Sequence, residues 1–342
     1  MKARTKLLAM TMSLTAAGMV VSLDAHANAY AIATNNVQNG FITIGVDTDA
    51  NGIPDTLNPA AISAGTPSSL SQSAATLNGT GSTGSSNLPA PDAPASNGTG
   101  SNPVRTNEMV TGVYYTPFGQ LGTAYSWGDA KVVTEQSATG TPIEARGAAE
   151  TNIPVSGFGD ANGSNSSSTS VLAPINVGSD CATLKCAVSF FFQADPYIYT
   201  ELDSAAGGTV ARGTLSFSIT LSQLIDAANP NLGSTTIFSW APNGLAGGIV
   251  GGTETADAEN LNLTKESLIP GQTSEHSGPY AGGVFGNYFA YTNYLLPGSY
   301  TLSLSMKEST DATRVVPEPA SLALLGVGLT GLALARRRRK HA

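Results

Sequence analysis

Residues 213–224 read GTLSFSITLSQL, and apolar and polar side chains alternate strictly from Leu215 to Leu221. The apolar members are Leu215, Phe217, Ile219 and Leu221, and the hydroxyl members are Ser216, Ser218 and Thr220. Because successive side chains of a strand point to opposite faces, this period of two indicates a strand with one buried face and one solvated face. The segment therefore predicts a strand of an antiparallel sheet.

Five other segments carry strand signals and are separated by turns rich in Gly and Pro. They are residues 30–46, 109–118, 186–202, 234–240 and 295–308. The segment 186–202 begins with a run that is apolar on both faces, which is typical of a strand buried inside a sheet. Regular strands between such turns predict an all-β fold, an antiparallel β-sandwich-like body with long Ser-, Gly- and Pro-rich loops.

Two segments have the composition of loops. Residues 58–105 are dominated by Ser, Thr, Gly, Pro, Asn and Ala, and residues 156–170 read SGFGDANGSNSSSTS. Such composition is typical of flexible linkers. We expect residues 58–105 to be a low-complexity loop or linker inside an exported β-rich domain, residues 30–315. Whether that domain is one unit or two stays open.

The first 29 residues have the three parts of a secretory signal peptide. Lys2, Arg4 and Lys6 form a basic start, an apolar run follows, and DAHANA supplies the small residues of a cleavage site. We predict that signal peptidase cuts after Ala29 and leaves Tyr30 as the new N-terminus.

The exported part is strongly acidic. Between residues 30 and 317 there are 8 Lys and Arg against 22 Asp and Glu, a net charge of 8 − 22 = −14. Nucleic-acid binding needs Lys and Arg to neutralise phosphates, so this composition argues against a nucleic-acid partner. Scattered acidic residues favour the solubility of an exported protein.

The chain ends on an apolar segment, residues 320–335, which is followed by the basic residues 336–340. As a helix, sixteen residues extend about 24 Å, just short of the hydrocarbon core of a membrane. A basic cluster stays on the cytoplasmic side of a membrane. We therefore predict a single transmembrane helix that anchors the protein transiently in the inner membrane with its bulk outside.

Residues 316–342 combine this anchor with a Pro-Glu-Pro element. The residues concerned are Val316, Pro317, Glu318, Pro319, Arg336, Arg337, Arg338, Arg339 and Lys340. The arrangement resembles the PEP-CTERM sorting signal of exported bacterial proteins. The resemblance implies recognition by an exosortase, cleavage near Pro-Glu-Pro, and a final location at the cell surface or outside the cell. It also implies a setting of exopolysaccharide and biofilm matrix.

The sequence DTDANGIPD, residues 47–55, has the spacing of a calcium-binding loop. The candidate ligands are Asp47, Asp49, Asn51, Asp55 and the carbonyl of Ile53. Ca²⁺ takes six to eight oxygen ligands, and Gly52 stands at the sixth position, where such loops turn sharply. Asn58 replaces the bidentate Glu of the twelfth position, so we expect calcium to bind weakly. The alternative is an Asp/Asn/Gly turn between two strands.

Cys181 and Cys186 are the two cysteines of the chain. An even pair in an exported protein predicts a disulfide. A metal or redox site would require a second ligand pair or a Cys-x-x-Cys spacing, and this sequence has neither.

Tyr288, Tyr291 and Tyr294 lie close together in GNYFAYTNYLL and are candidates for stacking on a glycan. His276 is the one histidine between the two processing segments, but no Gly-x-Ser-x-Gly nucleophile motif accompanies it. We therefore expect a non-enzymatic surface or matrix protein with a structural or adhesive role. A carbohydrate-binding module is the first alternative, and a secreted hydrolase that uses His276 is the second.

Overall fold

The computed structural model describes residues 28–87, 92–98, 117–120, 123–134, 141–154, 161–203, 209–226, 229–277, 285–314 and 329–330. Residues 1–27 of the predicted signal peptide lie outside these residues, as do most of the predicted strand 109–118 and the Pro-Glu-Pro element. The last two residues of the predicted signal peptide, Asn28 and Ala29, are described and are buried. The predicted transmembrane segment 320–335 also lies outside them, apart from residues 329 and 330. In the part that is described, no helix has the length and apolar character needed to cross a membrane.

The described residues form seventeen strands. They are β1 (Ala29–Val46), β2 (Ile62–Ala64), β3 (Ser68–Leu77), β4 (Thr80–Asn87), β5 (Asp92–Gly98), β6 (Tyr125–Thr134), β7 (Thr141–Ile153), β8 (Ala161–Val177), β9 (Cys186–Leu202), β10 (Val210–Leu224), β11 (Ser234–Trp240), β12 (Ile249–Val250), β13 (Gly252–Asp257), β14 (Leu263–Ser267), β15 (Thr273–Ser277), β16 (Gly286–Thr292) and β17 (Gly298–Arg314).

The strands make two antiparallel sheets. The first has the order β13-β16-β9-β1-β7-β6-β5, with β15 also paired to β9. The second has the order β12-β11-β10-β17-β8-β3-β4, with β14 also paired to β10 and β2 to β8. The prediction of an all-β, antiparallel, sandwich-like body is confirmed.

Strand β10 has the burial pattern that its sequence predicts. Leu215, Phe217, Ile219 and Leu221 are each at most 1% exposed, whereas the intervening Ser and Thr side chains are partly accessible. The strand lies between β11 and β17. The predicted strands that begin at Tyr30, Cys186 and Ser234 are also present, and the strand predicted for residues 295–308 continues to Arg314.

The two predicted loops are wrong where the structure describes them. Strands β2 to β5 lie inside residues 58–105, and β8 begins at Ala161, inside the second predicted loop. In part of β3 and β8 the buried positions are hydroxyl residues instead of apolar ones: Ser71, Ser73, Ser167 and Thr169 are all buried. Small side chains suit this part of the sandwich because a Cβ on Gly128, in the facing sheet, would lie 3.5 Å from the Cβ of Ser73.

The main apolar core lies in one half of the sandwich and is rich in aromatic rings. The Phe192 ring stacks on Tyr288 with centroids 4.7 Å apart, and it also contacts Phe217 and Trp240. A smaller cluster of Ala, Leu and Ile side chains, which includes Ala29 and Ala312, fills the opposite end.

A polar layer separates the two apolar clusters. Along β17, Met306 belongs to the main core and Ala312 to the small cluster, and Glu308 and Thr310 lie between them. We call Asn35, Thr151, Ser167, Glu308 and Thr310 the polar layer; each of these side chains is 0% exposed. The Ser167 hydroxyl donates to Oε2 of Glu308 at 2.7 Å, and the Thr151 and Thr310 hydroxyls are 2.8 Å apart.

The long strands define two ends of the sandwich. At the tail end, Ala29 pairs with Leu202, and β17 finishes at Arg314. At the loop end, Val46 pairs with Cys186, and β17 begins. Since β17 has 17 residues, the two ends are separated by about 55 Å.

Candidate functional site

The Asp-rich loop connects β1 to β2 at the loop end of the sandwich. Asp47 is 2% exposed and organises the turn with its own carboxylate. Its Oδ1 accepts from the amide of Ala50 at 2.7 Å, and its Oδ2 accepts from the amide of Gly52 at 2.6 Å. This side-chain-to-backbone bonding is how Asp nucleates a turn.

Asp55 closes the loop from the other side. Its Oδ2 accepts from the amide and the hydroxyl of Thr48, at 2.8 and 2.9 Å. One carboxylate oxygen each from Asp47, Asp49 and Asp55 lies within 4.8 Å of the other two. Three of the five predicted calcium ligands are therefore brought together in the described loop.

The other two predicted ligands are placed differently. The side-chain oxygen of Asn51 accepts from the amide of Ile53 at 2.7 Å, and its amide group donates to Asp49 at 3.0 Å. Asn51 therefore stabilises the turn, and its oxygen is already engaged. Ile53 contacts Asn51 through its amide, whereas the predicted ligand was its carbonyl.

Hydrogen bonds keep two of the carboxylates ionised. The amide and hydroxyl of Thr48 hold the pKa of Asp55 below its usual value. Burial acts to raise the pKa of Asp47, but the hydrogen bonds from Tyr294 and the loop amides outweigh it, and the pKa lies below its usual value. Both groups are negatively charged at neutral pH, as ligands of a hard cation must be.

Two of the candidate glycan-binding tyrosines, Tyr291 and Tyr294, contact this loop. The Tyr294 hydroxyl donates to Oδ2 of Asp47 at 2.7 Å. The Tyr291 ring covers Gly52, where an added Cβ would lie 2.1 Å from a ring carbon, and Gly52 has a φ of 92°. Gly52 is thus required both for the turn and for this close approach.

Tyr288 does not lie beside the other two tyrosines. The prediction of a glycan-binding surface made of all three rings is therefore wrong for Tyr288. Tyr288 is 0% exposed and stacks in the main core, because side chains alternate along β16 and its position faces inward. Tyr294 is 43% exposed, with Lys185 Nζ 5.6 Å from its ring centroid.

The predicted disulfide is present and joins Cys181 to Cys186. It holds the segment that supports the Asp-rich loop. The amide of Asp47 donates to the carbonyl of Lys185 at 2.8 Å, and the amide of Leu295 donates to the carbonyl of Cys186 at 2.8 Å. The disulfide loop therefore fixes both the start of the Asp-rich loop and the segment that carries Tyr294.

His276 lies on β15, far from this loop in the chain. Its Nε2 is 3.4 Å from Oε2 of Glu259, and burial together with the charge of Lys265 lowers its pKa. Within the described residues, no hydroxyl group forms a hydrogen bond with this nitrogen. The described residues therefore place an acid beside the histidine, with no nucleophile hydrogen-bonded to its Nε2.

The comparisons with known proteins identify the C-terminal segment. Residues 315–339 match the PEP-CTERM protein-sorting motif. No curated protein and no solved structure matches the chain. The motif begins at the residue after Arg314, where β17 ends. Residues 315–339 are therefore a PEP-CTERM sorting motif, which implies an exported, exosortase-targeted protein that passes through a membrane-anchored intermediate on its way to the cell surface.

Proposed function

We propose that the protein is a non-enzymatic structural or adhesive component of the cell surface or extracellular matrix, associated with exopolysaccharide. The observation that carries the proposal is the sorting motif at residues 315–339, which follows the last strand directly. A domain attached at its tail end presents its loop end about 55 Å from the attachment point. The net negative charge of the body favours the solubility of such a domain.

Intact mass spectrometry of the protein from the surface and medium of its native host tests this role. We expect a chain that begins at Tyr30, ends near Pro317 and lacks two hydrogens because of the disulfide. A variant with Ala at residues 317–319 is the control and is expected to retain the tail. A wild-type mass that still includes residues 336–342 would contradict release, and the matrix role would then be abandoned.

We also propose that the Asp-rich loop binds Ca²⁺ as a structural ion. Its support is the convergence of the Asp47, Asp49 and Asp55 oxygens within 4.8 Å at an exposed end of the domain. Three carboxylates repel one another, and a divalent cation would remove that repulsion. The loop has no bidentate Glu at its twelfth position, so the expected Kd is about 10⁻⁴–10⁻³ M.

Chemical unfolding with and without 10 mM CaCl₂ tests the calcium proposal. Binding at the expected affinity stabilises the wild type by about 1.4–2.7 kcal/mol. Asp49→Asn should lose most of this gain, because it removes one charged ligand from an exposed position. Equal stabilisation by MgCl₂, or an equal gain in Asp49→Asn, would mean that the loop is an ordinary turn.

A further inference from the structure

The hairpin between β14 and β15 presents two apolar side chains to solvent. Leu268 is 52% exposed and Ile269 is 67% exposed. The amides of both residues donate to the side-chain oxygen of Gln272, at 2.8 and 3.1 Å, and Gly271 turns the chain with a φ of 79°. The hairpin tip, residues 268–272, is therefore a hydrogen-bonded turn that displays its apolar residues.

This hairpin tip lies at the tail end of the sandwich. Ser267 pairs with Ala211, and Ala211 pairs on its other side with Ala312. Two strand spacings of about 4.8 Å place the base of the hairpin about 10 Å from Ala312. The amide of Gly271 also donates to the carbonyl of Leu202, the last residue of β9, at 2.9 Å.

The chain leaves the domain at the same place. Arg314 is the last residue of β17, and the sorting motif begins at residue 315. Six residue steps separate Arg314 from Ala320, the first residue of the apolar segment, and they span at most about 20 Å. When the apolar segment lies in a membrane, the tail end of the sandwich must therefore face that membrane closely.

We propose that Leu268 and Ile269 insert into the interface of the bilayer that holds the C-terminal segment. The proposal rests on the membrane-anchored intermediate and names a second contact between the domain and the lipid. Attachment through the tail makes this contact intramolecular, so a small apolar surface is sufficient. It would hold the domain in one orientation while the residues next to Arg314 are presented for processing.

The charges next to the tip favour a zwitterionic lipid. Lys265 and Glu266, which precede the tip, carry opposite charges, and Glu266 is also paired with Arg212. Glu201 and Asp203 also lie at this end, and they would be repelled by anionic headgroups. Phosphatidylcholine vesicles are therefore the appropriate probe.

Leu296 provides a matched control at the loop end. It is 68% exposed, more than Leu268, and it precedes β17, about 55 Å from the tail end. If exposure alone caused lipid contact, Leu296 would contact lipid at least as well as Leu268. If the tail sets the orientation of the domain, only the hairpin tip contacts lipid.

Tryptophan fluorescence in brominated phosphatidylcholine vesicles tests the proposal. Leu268→Trp and Leu296→Trp are each introduced into the chain with its C-terminal segment intact, and flotation of the vesicles reports anchoring. The native Trp127 and Trp240 are 4% and 0% exposed and give the same background in both variants. We expect the added emission of Leu268→Trp to be blue-shifted and quenched at least twofold more than that of Leu296→Trp.

Equal quenching of the two variants, or no quenching of Leu268→Trp in a chain that floats, would overturn the proposal and leave the anchoring intact. A chain that does not float with the vesicles would overturn the membrane-anchored intermediate and this proposal together.

Discussion

Replacement of Glu308 by Gln is expected to stabilise the domain by roughly 3–5 kcal/mol at pH 8 and to change its stability little at pH 4.5. Glu308 is 0% exposed, and burial raises its pKa to about 8, against the opposing effect of the hydrogen bond from Ser167. Among the described residues, no group forms a hydrogen bond with its Oε1. The ionised side chain is therefore costly inside the polar layer, and Gln is neutral at every pH.

The direction of this pH dependence follows from the proton that Glu308 binds in the folded chain. Between the ordinary pKa of about 4.5 and the folded value of about 8, the folded chain holds a proton on Glu308 that the unfolded chain has lost. The stability contributed by this proton is complete below pH 4.5 and decreases by about 1.4 kcal/mol per pH unit up to pH 8. The Gln variant lacks this decrease.

Urea unfolding at pH 5, 6.5 and 8 measures the effect as the difference between the two stability curves. Glu275→Gln changes an exposed glutamate on β15 and is the matched control. Parallel curves for the wild type and Glu308→Gln would show that the buried carboxyl is solvated in the folded protein.

Substitution of Gly147 by Ala is expected to destabilise the domain by about 3 kcal/mol or more, the upper part of the range for overpacked cores. Gly147 lies on β7, in the sheet that faces Glu308, and an added Cβ would lie 1.7 Å from Oε2 of Glu308. The carboxyl group would have to move within a buried layer and would lose the bond from Ser167. Gly128→Ala is the control, because its closest contact would be 3.2 Å.

A double-mutant cycle tests the cause of the expected loss. In a Glu308→Ala background the contacting oxygen is absent, so Gly147→Ala should cost much less than it does in the wild type. The two changes would then have a coupling energy of 2 kcal/mol or more, on the order of the larger values known for residues in contact. If the free energies of the two changes simply add, Gly147 matters for a reason other than its contact with Glu308.

The Ser- and Gly-rich strands could not be predicted from the sequence. The strand at residues 213–224 was predictable because its alternation is one of Leu, Phe and Ile against Ser and Thr. Strands β3 and β8 have the same period of two, but in the first half of each strand small polar residues such as Ser71, Ser73 and Ser167 occupy the buried positions. Ser and Gly also favour loops, so their burial depends on how closely the opposite sheet approaches, which no local pattern records.

The candidate site depends partly on residues that are close in the sequence and partly on residues that are far apart in it. The turn at Asp47 follows from its own Asp, Asn and Gly spacing, and the disulfide follows from two cysteines five residues apart in an exported chain. The bond from Tyr294 to Asp47 joins residues that are 247 positions apart. It exists because Asp47 and Leu295 both bond to the segment around Cys186, at the start of the same central strand.

A short contiguous pattern is enough to predict the class of the fold, the disulfide and the sorting motif. Side-chain alternation, cysteine spacing and the sorting motif at residues 315–339 are all of this kind. The assembled sheets, and no local pattern, place Glu308 opposite Gly147, Tyr288 in the core and the hairpin tip beside the end of β17. These facts depend on which strands become neighbours and on the distance between two sheets, and both are set by packing of residues far apart in the chain.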